Sequence, residues 1–306
     1  MNGPEPDALL DLIRSERLDP PARVHAVMDA IRVRHPDRVL GFVYYGSSLR
    51  DLDDPEKMLD FYVLVDSYRK THGFGWRALT NRLIPPAVYY LEHEENGILS
   101  TCKYSIISLS EFERRCADGF LSQLWGRFSQ PCALLGAADA DVERRIGEAR
   151  ADAVRKLAGE TSPLFDTPAS ASEFWSRAFF ESYRTELRPE SDDGRAREIV
   201  ARYLDRYEAV SAALFGPARD GLYDVQDVSG EGSSLRWTLR RLIGRPVAAL
   251  RVVNSAATFD GGLDYVLRKV ERHSGVSLEV TDAQRRHPVL WSPILGWKLW
   301  RRGAFG

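Results

Sequence analysis

The strongest constraint on the fold is a pair of apolar stretches, residues 39–45 and 58–65, separated by a linker that begins with glycine and serine. Both stretches are rich in Val, Tyr, Phe and Leu, which predicts two strands of one sheet. The first strand ends at Gly46, and glycine adopts backbone conformations that other residues avoid. Asp60 is the one charged residue of the second stretch. Because a carboxylate is excluded from a buried strand unless it is paired or binds a metal, Asp60 is a candidate functional residue.

The turn and the carboxylate together predict a site for a nucleoside triphosphate. Gly46, Ser47 and Ser48 present backbone N–H groups and hydroxyls, which hold phosphate close to the main chain. Asp60 is predicted to bind Mg²⁺, which takes carboxylate and phosphate oxygens as ligands. Twelve residues separate Ser47 from Asp60, and this spacing resembles that of polymerase-beta-type nucleotidyltransferases. The alternative is a tight hairpin turn followed by an edge-strand aspartate that reaches solvent.

The sequence departs from that superfamily at the second metal ligand. The usual pattern on the strand is Asp-x-Asp, whereas Tyr62 stands two positions after Asp60. We predict Asp66 as the second ligand, because strand alternation lets it share a face with Asp60, although six strand residues span roughly 20 Å. The remaining candidates are the linker residues Asp51, Asp53 and Asp54.

Two cations outside this stretch are predicted to contact the triphosphate. Residues 88–91 and 103–109 have strand composition and flank a turn that contains Asn96 and Gly97, which predicts a hairpin of the same sheet. Lys103 lies near the start of its strand, from which its ammonium reaches a phosphate oxygen as a point charge. Arg127 is the second cation. The alternative for Lys103 is a surface lysine on a strand.

A series of short motifs occurs in a fixed order along residues 37–135. The motifs are Tyr45-Gly46-Ser47, Met58-Leu59-Asp60-Phe61 with Asp66, Trp76, Pro85-Pro86-Ala87-Val88-Tyr89-Tyr90, Lys103-Tyr104 with Ile107-Ser108, and Gly126-Arg127 with Pro131. In this order they resemble the mitochondrial-type phosphatidate cytidylyltransferases, also known as the mitochondrial translocator assembly and maintenance family. Members of that family also carry a lone Asp in the Leu-Asp-Phe strand, so Tyr62 is no departure from it. The resemblance becomes diffuse after residue 135.

The resemblance implies an activity and a set of site residues. Such enzymes are peripheral membrane proteins that join CTP and phosphatidate into CDP-diacylglycerol, release pyrophosphate and require Mg²⁺. They have a nucleotidyltransferase domain followed by a helical, winged-helix-like domain, with the active site in the cleft between the two. On this chain the turn and strand residues of the family correspond to Gly46, Ser47 and Asp60, and its lysine to Lys103. We therefore predict Asp60 and Lys103 as catalytic residues.

The length of the chain, 306 residues, exceeds the usual size of one domain, so we expect two. Residues 1–135 are predicted to form an α/β nucleotidyltransferase domain with a mixed sheet. Residues 136–284 are predicted to be mostly helical, because helical patterns cover 139–158, 172–187 and 196–215. Residues 285–306 are predicted to be an amphipathic tail.

The composition of the C-terminal part indicates contact with a membrane surface. Residues 232–306 contain 13 Lys and Arg against 5 Asp and Glu. The tail interleaves Leu and Ile with three tryptophans and ends in three cations: Trp291, Trp297, Trp300, Lys298, Arg301 and Arg302. Trp prefers the headgroup level of a bilayer, and Lys and Arg are attracted to anionic lipid. The alternative is a C-terminal helix docked on the core by its tryptophans.

Features of secretion or of a membrane span are missing from the sequence. Residues 1–20 lack the basic start and apolar stretch of a signal peptide, and no apolar run approaches the roughly 18 residues of a spanning helix. The three cysteines, Cys102, Cys116 and Cys132, follow no metal or disulfide spacing. We therefore predict a cytoplasmic protein that is peripheral on the inner face of the cytoplasmic membrane.

The combined prediction is a lipid-phosphate cytidylyltransferase that uses CTP, Mg²⁺ and an anionic lipid phosphate. Ceramide phosphate and isoprenoid phosphate are alternative acceptors. A catalytically dead, membrane-associated scaffold is a further alternative, because the second strand carboxylate is missing. Transfer to RNA is disfavoured, since the C-terminal tryptophans are interleaved with Leu and Ile and do not resemble the spaced aromatics of a single-strand platform. We expect no nucleic-acid partner.

Overall fold

A computed structural model describes residues 7–52, 54, 57–68, 71, 87–95, 97–186, 193–226, 232–258, 263, 267, 270–271, 274–286 and 288–302. Asp53, Trp76, Pro85, Pro86 and Asn96, which enter the sequence-based predictions, lie outside the described residues. Over the described part the chain is an α/β protein with a mixed sheet of five strands, as expected.

The helices and strands alternate irregularly along the chain. In order, they are α1 (Ala8–Ser15), α2 (Ala22–Arg34), β1 (Val39–Tyr45), α3 (Ser47–Arg50), β2 (Leu59–Val65), β3 (Ala87–Glu95), β4 (Ile98–Ser108), α4 (Leu109–Asp118), α5 (Trp125–Phe128), β5 (Ala133–Ala137), α6 (Ala140–Thr161), α7 (Ala171–Tyr183), α8 (Gly194–Arg202), α9 (Leu204–Phe215), α10 (Ser234–Thr258), α11 (Asp282–Arg286) and α12 (Pro288–Arg301).

The strands lie side by side in the order β3-β4-β2-β1-β5. β2 and β4 are parallel and the other neighbouring pairs are antiparallel, so the sheet is mixed. The predicted hairpin is confirmed as β3 and β4, with Gly97 at φ 78° in its turn. The pairing register places Tyr45, Asp60 and Lys103 next to one another on β1, β2 and β4. Since directly paired residues share a face of a sheet, these three side chains lie on one face.

The two faces of the sheet pack against different helices. Tyr44 and Phe61 belong to the apolar cluster that also contains the buried residues of α2. Tyr62 and Leu64 belong to a larger cluster, which includes residues of α4, α6, α7 and α9. Asp60 alternates with Phe61 along β2, so it lies on the face that is directed toward these later helices.

The apolar cluster on that face runs without interruption from the sheet into the helical part of the chain. It joins Tyr62 of β2 to Trp175 and Phe179 of α7 and to Tyr207 of α9. The predicted boundary at residue 135 falls inside β5, which pairs with β1. The sheet therefore extends past that boundary and shares its core with the helices that follow.

Side-chain caps account for the start of four helices. Asp7, Ser108, Asp139 and Ser170 each accept a hydrogen bond from the backbone N–H three residues later. Such N-cap residues satisfy one of the free N–H groups in the first turn. The helix predicted over 196–215 is in fact two helices, α8 and α9, because the backbone at Tyr203 leaves the helical region at φ −123° and ψ 35°.

The helix α12, Pro288–Arg301, lies within the segment 285–306 that was predicted as an amphipathic tail. Leu295 and Leu299 are buried, whereas Ile294 and Trp297 are exposed. The guanidinium of Arg301 lies 4.9 Å from the centre of the Trp297 ring. The helix thus docks through its leucines and leaves an aromatic residue at the surface. Among the described helices, none is long and apolar enough to cross a membrane.

Candidate functional site

A cavity of about 230 Å³ opens where β1, β2 and β4 come together with the later helices. Its walls are formed by Tyr45, Gly46, Ser47, Arg50, Asp60, Lys103, Arg127, Gln130, Pro131, Arg195, Ile199 and Tyr203. Of the predicted site residues, Gly46, Ser47, Asp60, Lys103 and Arg127 are thereby brought to one place. These five lie on two strands, a turn and two short helices, so the fold gathers them from well-separated parts of the chain.

Gly46 connects β1 to the short helix α3 and lies directly against Asp60. Its backbone has φ 91° and ψ −162°, a region that is essentially restricted to glycine. A Cβ atom at this position would lie 2.8 Å from Oδ2 of Asp60. Glycine is therefore required at position 46 for two reasons, the backbone conformation and the close approach of the Asp60 carboxylate. Ser47, the next residue, is exposed to the cavity, whereas Ser48 is buried and does not line it.

Asp60 carries the one carboxylate that the described residues contribute to the cavity wall. The side chain is partly exposed because it opens onto the cavity, while its neighbours Leu59 and Phe61 are fully buried. Burial raises the pKa of Asp60, and the positive charges of Lys103 and Arg127 oppose that rise without cancelling it. A bound cation would relieve the cost of this partly desolvated negative charge.

Arg127 is positioned by contacts on both of its sides. Its Nη1 donates a hydrogen bond to Oη of Tyr45 at 3.1 Å, and its guanidinium lies 5.1 Å from the centre of the same ring. Its Nη2 is 3.9 Å from Oε1 of Glu186. Burial lowers the pKa of Arg127, but Tyr45, Tyr62 and Glu186 outweigh burial and raise it, so the side chain is a permanent cation.

The glycine of the Gly126-Arg127 motif has a packing role. A Cβ atom on Gly126 would lie 2.0 Å from Oγ of Ser182, a residue of α7. The short helix α5 therefore approaches α7 closely only because residue 126 lacks a side chain. This contact fixes Arg127 between the sheet and the helical part.

Four lining residues with polar side chains, Arg50, Gln130, Arg195 and Tyr203, were not predicted from the sequence. Arg50 ends α3, three residues after Ser47, so its position next to the predicted turn could have identified it. Gln130 follows the predicted site residue Arg127 by three residues and could have been identified by the same argument. Arg195 lies in α8, and no local pattern links it to Asp60. Only the fold brings it to the cavity.

The structure does not bring Asp66 to the cavity, and the prediction that it binds a metal together with Asp60 is corrected accordingly. Asp60 is the second residue of β2, whereas Asp66 follows the last residue of the strand. Asp66 is exposed, and its Oδ2 lies 3.7 Å from Nη1 of Arg38. The strand alternation places both carboxylates on one face, but the length of the strand separates them.

The linker residue Asp51 is also engaged elsewhere. Asp51 forms ion pairs with Lys57 and, at 3.4 Å, with Nη2 of Arg202. The ion pair with Lys57 lowers the pKa of Asp51, and Arg202 contributes in the same direction. Neither Asp51 nor Asp54 belongs to the cavity wall. Asp60 is thus the single carboxylate that the described residues supply there.

The residues present fit a magnesium ion that is bound together with a nucleotide. Within the described ranges, no three His, Cys, Asp or Glu side chains are grouped closely enough to hold a metal by themselves. Mg²⁺ usually takes only one or two protein carboxylates and completes its shell with phosphate oxygens and water. Asp60 supplies such a carboxylate beside four cations that suit phosphate, Arg50, Lys103, Arg127 and Arg195.

No protein-family model matches the chain, and no curated protein matches it significantly. The geometry of the cavity and the motif order of the sequence are therefore the grounds for a functional proposal.

Proposed function

We propose that the protein is a Mg²⁺-dependent nucleotidyltransferase that joins CTP to phosphatidate, forming CDP-diacylglycerol and pyrophosphate. The observation that carries the proposal is the cavity, where a partly desolvated Asp60 lies beside a Gly-Ser turn among four cations. A single carboxylate within a strongly positive wall suits a ligand with several negative charges and a bound cation. A nucleoside triphosphate with Mg²⁺ has this composition.

The four cations have separable roles in binding the triphosphate. Lys103 is next to Asp60 in the sheet, so its ammonium acts as a point charge near the carboxylate. Arg127 offers a planar guanidinium that is already oriented by Tyr45. Arg50 and Arg195 belong to α3 and α8 and line the same cavity. Cations fixed before the substrate arrives stabilise charge that develops on the leaving pyrophosphate.

The proposed reaction is an in-line displacement at the α-phosphorus of CTP. An oxygen of the acceptor phosphate forms a bond to that phosphorus, and the bond to the bridging oxygen of the β-phosphate breaks, so that pyrophosphate leaves. Mg²⁺, when bound, neutralises charge on the triphosphate. Because a phosphate acceptor is already ionised, it needs no strong general base, which is consistent with a cavity wall that contains no histidine among the described residues.

The choice of cytidine and of a lipid acceptor is supported by the motif series between residues 37 and 135, which resembles the mitochondrial-type phosphatidate cytidylyltransferases. With that choice we also propose the polymerase-beta-type fold for the sheet, a winged-helix-like helical part, and peripheral attachment to the inner face of the cytoplasmic membrane. Exposed Trp297, stacked with Arg301 on α12, supports contact of the tail with anionic lipid.

The test is pyrophosphate release by the purified full-length chain. Reactions contain Mg²⁺, phosphatidate in mixed micelles and each of the four nucleoside triphosphates in turn. We compare the native protein with Asp60→Asn and with the matched control Asp66→Asn. Asp66 is another aspartate of the same strand region, but its exposed ion pair with Arg38 contributes only about 0–1 kcal/mol to stability, so its loss leaves the fold intact.

We expect release with CTP alone, abolished by Asp60→Asn and retained by Asp66→Asn. Release with another nucleotide would correct the base. Mg²⁺-dependent CTP binding without release would keep the transferase and point to a different acceptor, for which ceramide phosphate and isoprenoid phosphate are the first to try. Absence of both binding and release would overturn the proposal.

A further inference from the structure

The long helix α10 has a buried face and an opposite face that is apolar and exposed. Trp237 and Arg240 are fully buried, and Gly244 lies against the backbone of Thr185, so these positions define the inner face. The outer face carries Leu235, Leu239, Leu242 and Ile243, with Leu235 70% and Leu242 67% exposed. At 3.6 residues per turn, these four side chains fall within an arc of about 100°.

This outer face is a continuous patch and not a scatter of single residues. The four side chains occur within nine positions, a length of about 12 Å along the helix. Isolated exposed apolar residues are ordinary on protein surfaces, whereas a contiguous apolar patch marks an interaction site. The proposed nucleotide site does not use any of these residues, since none of them lines the cavity.

Charge on α10 indicates which partner the patch takes. The helix contains five arginines and no acidic residue. Arg236 borders the apolar arc on one side, and Arg241 and Arg245 border it on the other, by the same helical geometry. All three arginines also contact the body of the protein, Arg236 through Glu160 at 3.5 Å, Arg241 through Glu181 at 2.8 Å and Arg245 through the backbone oxygen of Arg184 at 3.3 Å. Aliphatic residues flanked by arginine on both sides are the pattern of a helix that lies in the surface of an anionic bilayer.

The neighbouring helix supplies a second exposed apolar group. α12 packs against α10 and exposes Ile294 and Trp297, the latter at 53%. We propose that the outer face of α10 is the surface through which the protein binds an anionic lipid bilayer, with α12 beside it. The inference rests on the proposed lipid function and deepens it by moving the main membrane contact from the tail to α10. It predicts vesicle binding that does not depend on catalysis.

The experiment is co-sedimentation of the full-length protein with vesicles of phosphatidylcholine mixed with phosphatidylglycerol, and with vesicles of phosphatidylcholine alone. The test variant is Leu235→Glu with Leu242→Glu, which changes the two most exposed residues of the patch. The matched control is Val33→Glu, because Val33 is 80% exposed on α2, which packs on the other face of the sheet. Exposed positions of this kind tolerate charge without loss of the fold.

We expect the native protein and Val33→Glu to bind the anionic vesicles, more weakly as salt rises. The double variant should bind at least about tenfold more weakly, because it prevents two leucines from entering the bilayer. Asp60→Asn should bind vesicles like the native protein, so a failure of the nucleotide proposal and a failure of this one are distinguishable.

Three outcomes would overturn the inference. The first is unchanged vesicle binding by the double variant. The second is loss of binding only in Trp297→Ser, which would assign the membrane contact to the tail. The third is a native oligomer that the double variant dissociates in sedimentation velocity without any change in vesicle binding, which would make the patch an interface between copies of the chain.

Discussion

Replacing Gly46 by alanine tests the geometric centre of the proposed site. Two separate costs follow from the structure. The backbone at φ 91° and ψ −162° is unfavourable for any residue with a side chain. In addition, the new Cβ atom would lie 2.8 Å from Oδ2, 3.3 Å from Cβ and 3.4 Å from Cγ of Asp60. The carboxylate must therefore move, and it is the group to which we assign the metal.

The expected loss of folding free energy in Gly46→Ala is the sum of these two costs. A residue held in this backbone region costs about 1–3 kcal/mol. Displacing the Asp60 side chain from its rotamer adds about 0.5–1.5 kcal/mol. Gly216 separates the two contributions, because it has φ 80° and ψ −172° and a Cβ atom added there would meet no atom within 4 Å. Gly216→Ala should therefore show the backbone cost alone, and Gly46→Ala should exceed it.

Thermal unfolding measures the difference in stability between Gly46→Ala and Gly216→Ala, and CTP titration measures whether the displaced carboxylate impairs nucleotide binding. For a chain of this size each kcal/mol lowers the melting temperature by roughly 2–4 °C. Gly46→Ala is expected to lose Mg²⁺-dependent CTP binding, whereas Gly216→Ala retains it. In an Asp60→Ala background the contacts with Oδ2 and Cγ are gone, so the extra cost of Gly46→Ala should shrink.

Two results would refute this explanation of Gly46. One is a Gly46→Ala protein that is no less stable than Gly216→Ala, and the other is a cost of Gly46→Ala that is the same with and without the Asp60 carboxylate. Either result would mean that glycine is present at position 46 for the turn alone. CTP binding that survives in a folded Gly46→Ala protein would separate the turn from the nucleotide site.

Three further substitutions probe charged or titratable side chains, one in the cavity wall and two elsewhere in the fold. Arg127→Met should weaken CTP binding about tenfold or more, since a charge-assisted contact is lost, and unchanged affinity in titration calorimetry would contradict its role. Burial lowers the pKa of Arg251 to about 10, and its Nε finds no hydrogen-bond partner in the described part of the chain. Arg251→Met should therefore stabilise the protein without bound CTP by about 1 kcal/mol. A lower melting temperature of this variant would refute the prediction. Burial, with Arg34, lowers the pKa of His35 below 6.5, so the native protein should lose stability as pH falls through 6.5 because the unfolded chain binds the proton more readily. His35→Phe should lack that loss, and parallel melting curves against pH for both proteins would count against the assignment.

The strands around the site could be predicted because their composition and their local order agree. β1 was expected at 39–45 and is found there, and the second strand and the hairpin lie within a few residues of their predicted positions. Asp60 stood out because a carboxylate inside an apolar strand is costly and needs a reason. Gly46 stood out for the same kind of reason, since glycine at a strand end signals an unusual backbone.

The features that were missed depend on contacts between distant parts of the chain. β5 is a short strand of small and aliphatic residues, Ala133–Ala137, that exists because it pairs with β1. Its sequence has no strand alternation of its own. Arg195 reaches the cavity only through the packing of α8.

The same long-range packing predicts that the chain cannot be divided at its apparent boundary. Glu16, at the end of α1, forms ion pairs with Arg150 of α6 and Arg206 of α9. Arg150 also donates a hydrogen bond to the backbone oxygen of Cys132, and Arg206 donates one to the backbone oxygen of Ser129. A fragment of residues 1–137 would keep Glu16 but lose both arginines, expose the apolar face of the sheet and remove Arg195 from the cavity.

We therefore expect residues 1–137 to be insoluble or unfolded when expressed alone, and to bind no CTP even where they are recovered. Circular dichroism melting and CTP titration check this, with the full chain alongside. A fragment that unfolds cooperatively and binds CTP would show that the sheet and its turn form the site without the helices. In that case the cations of α3, β4 and α5 would suffice for the triphosphate, and Arg195 would have to act on another part of the substrate.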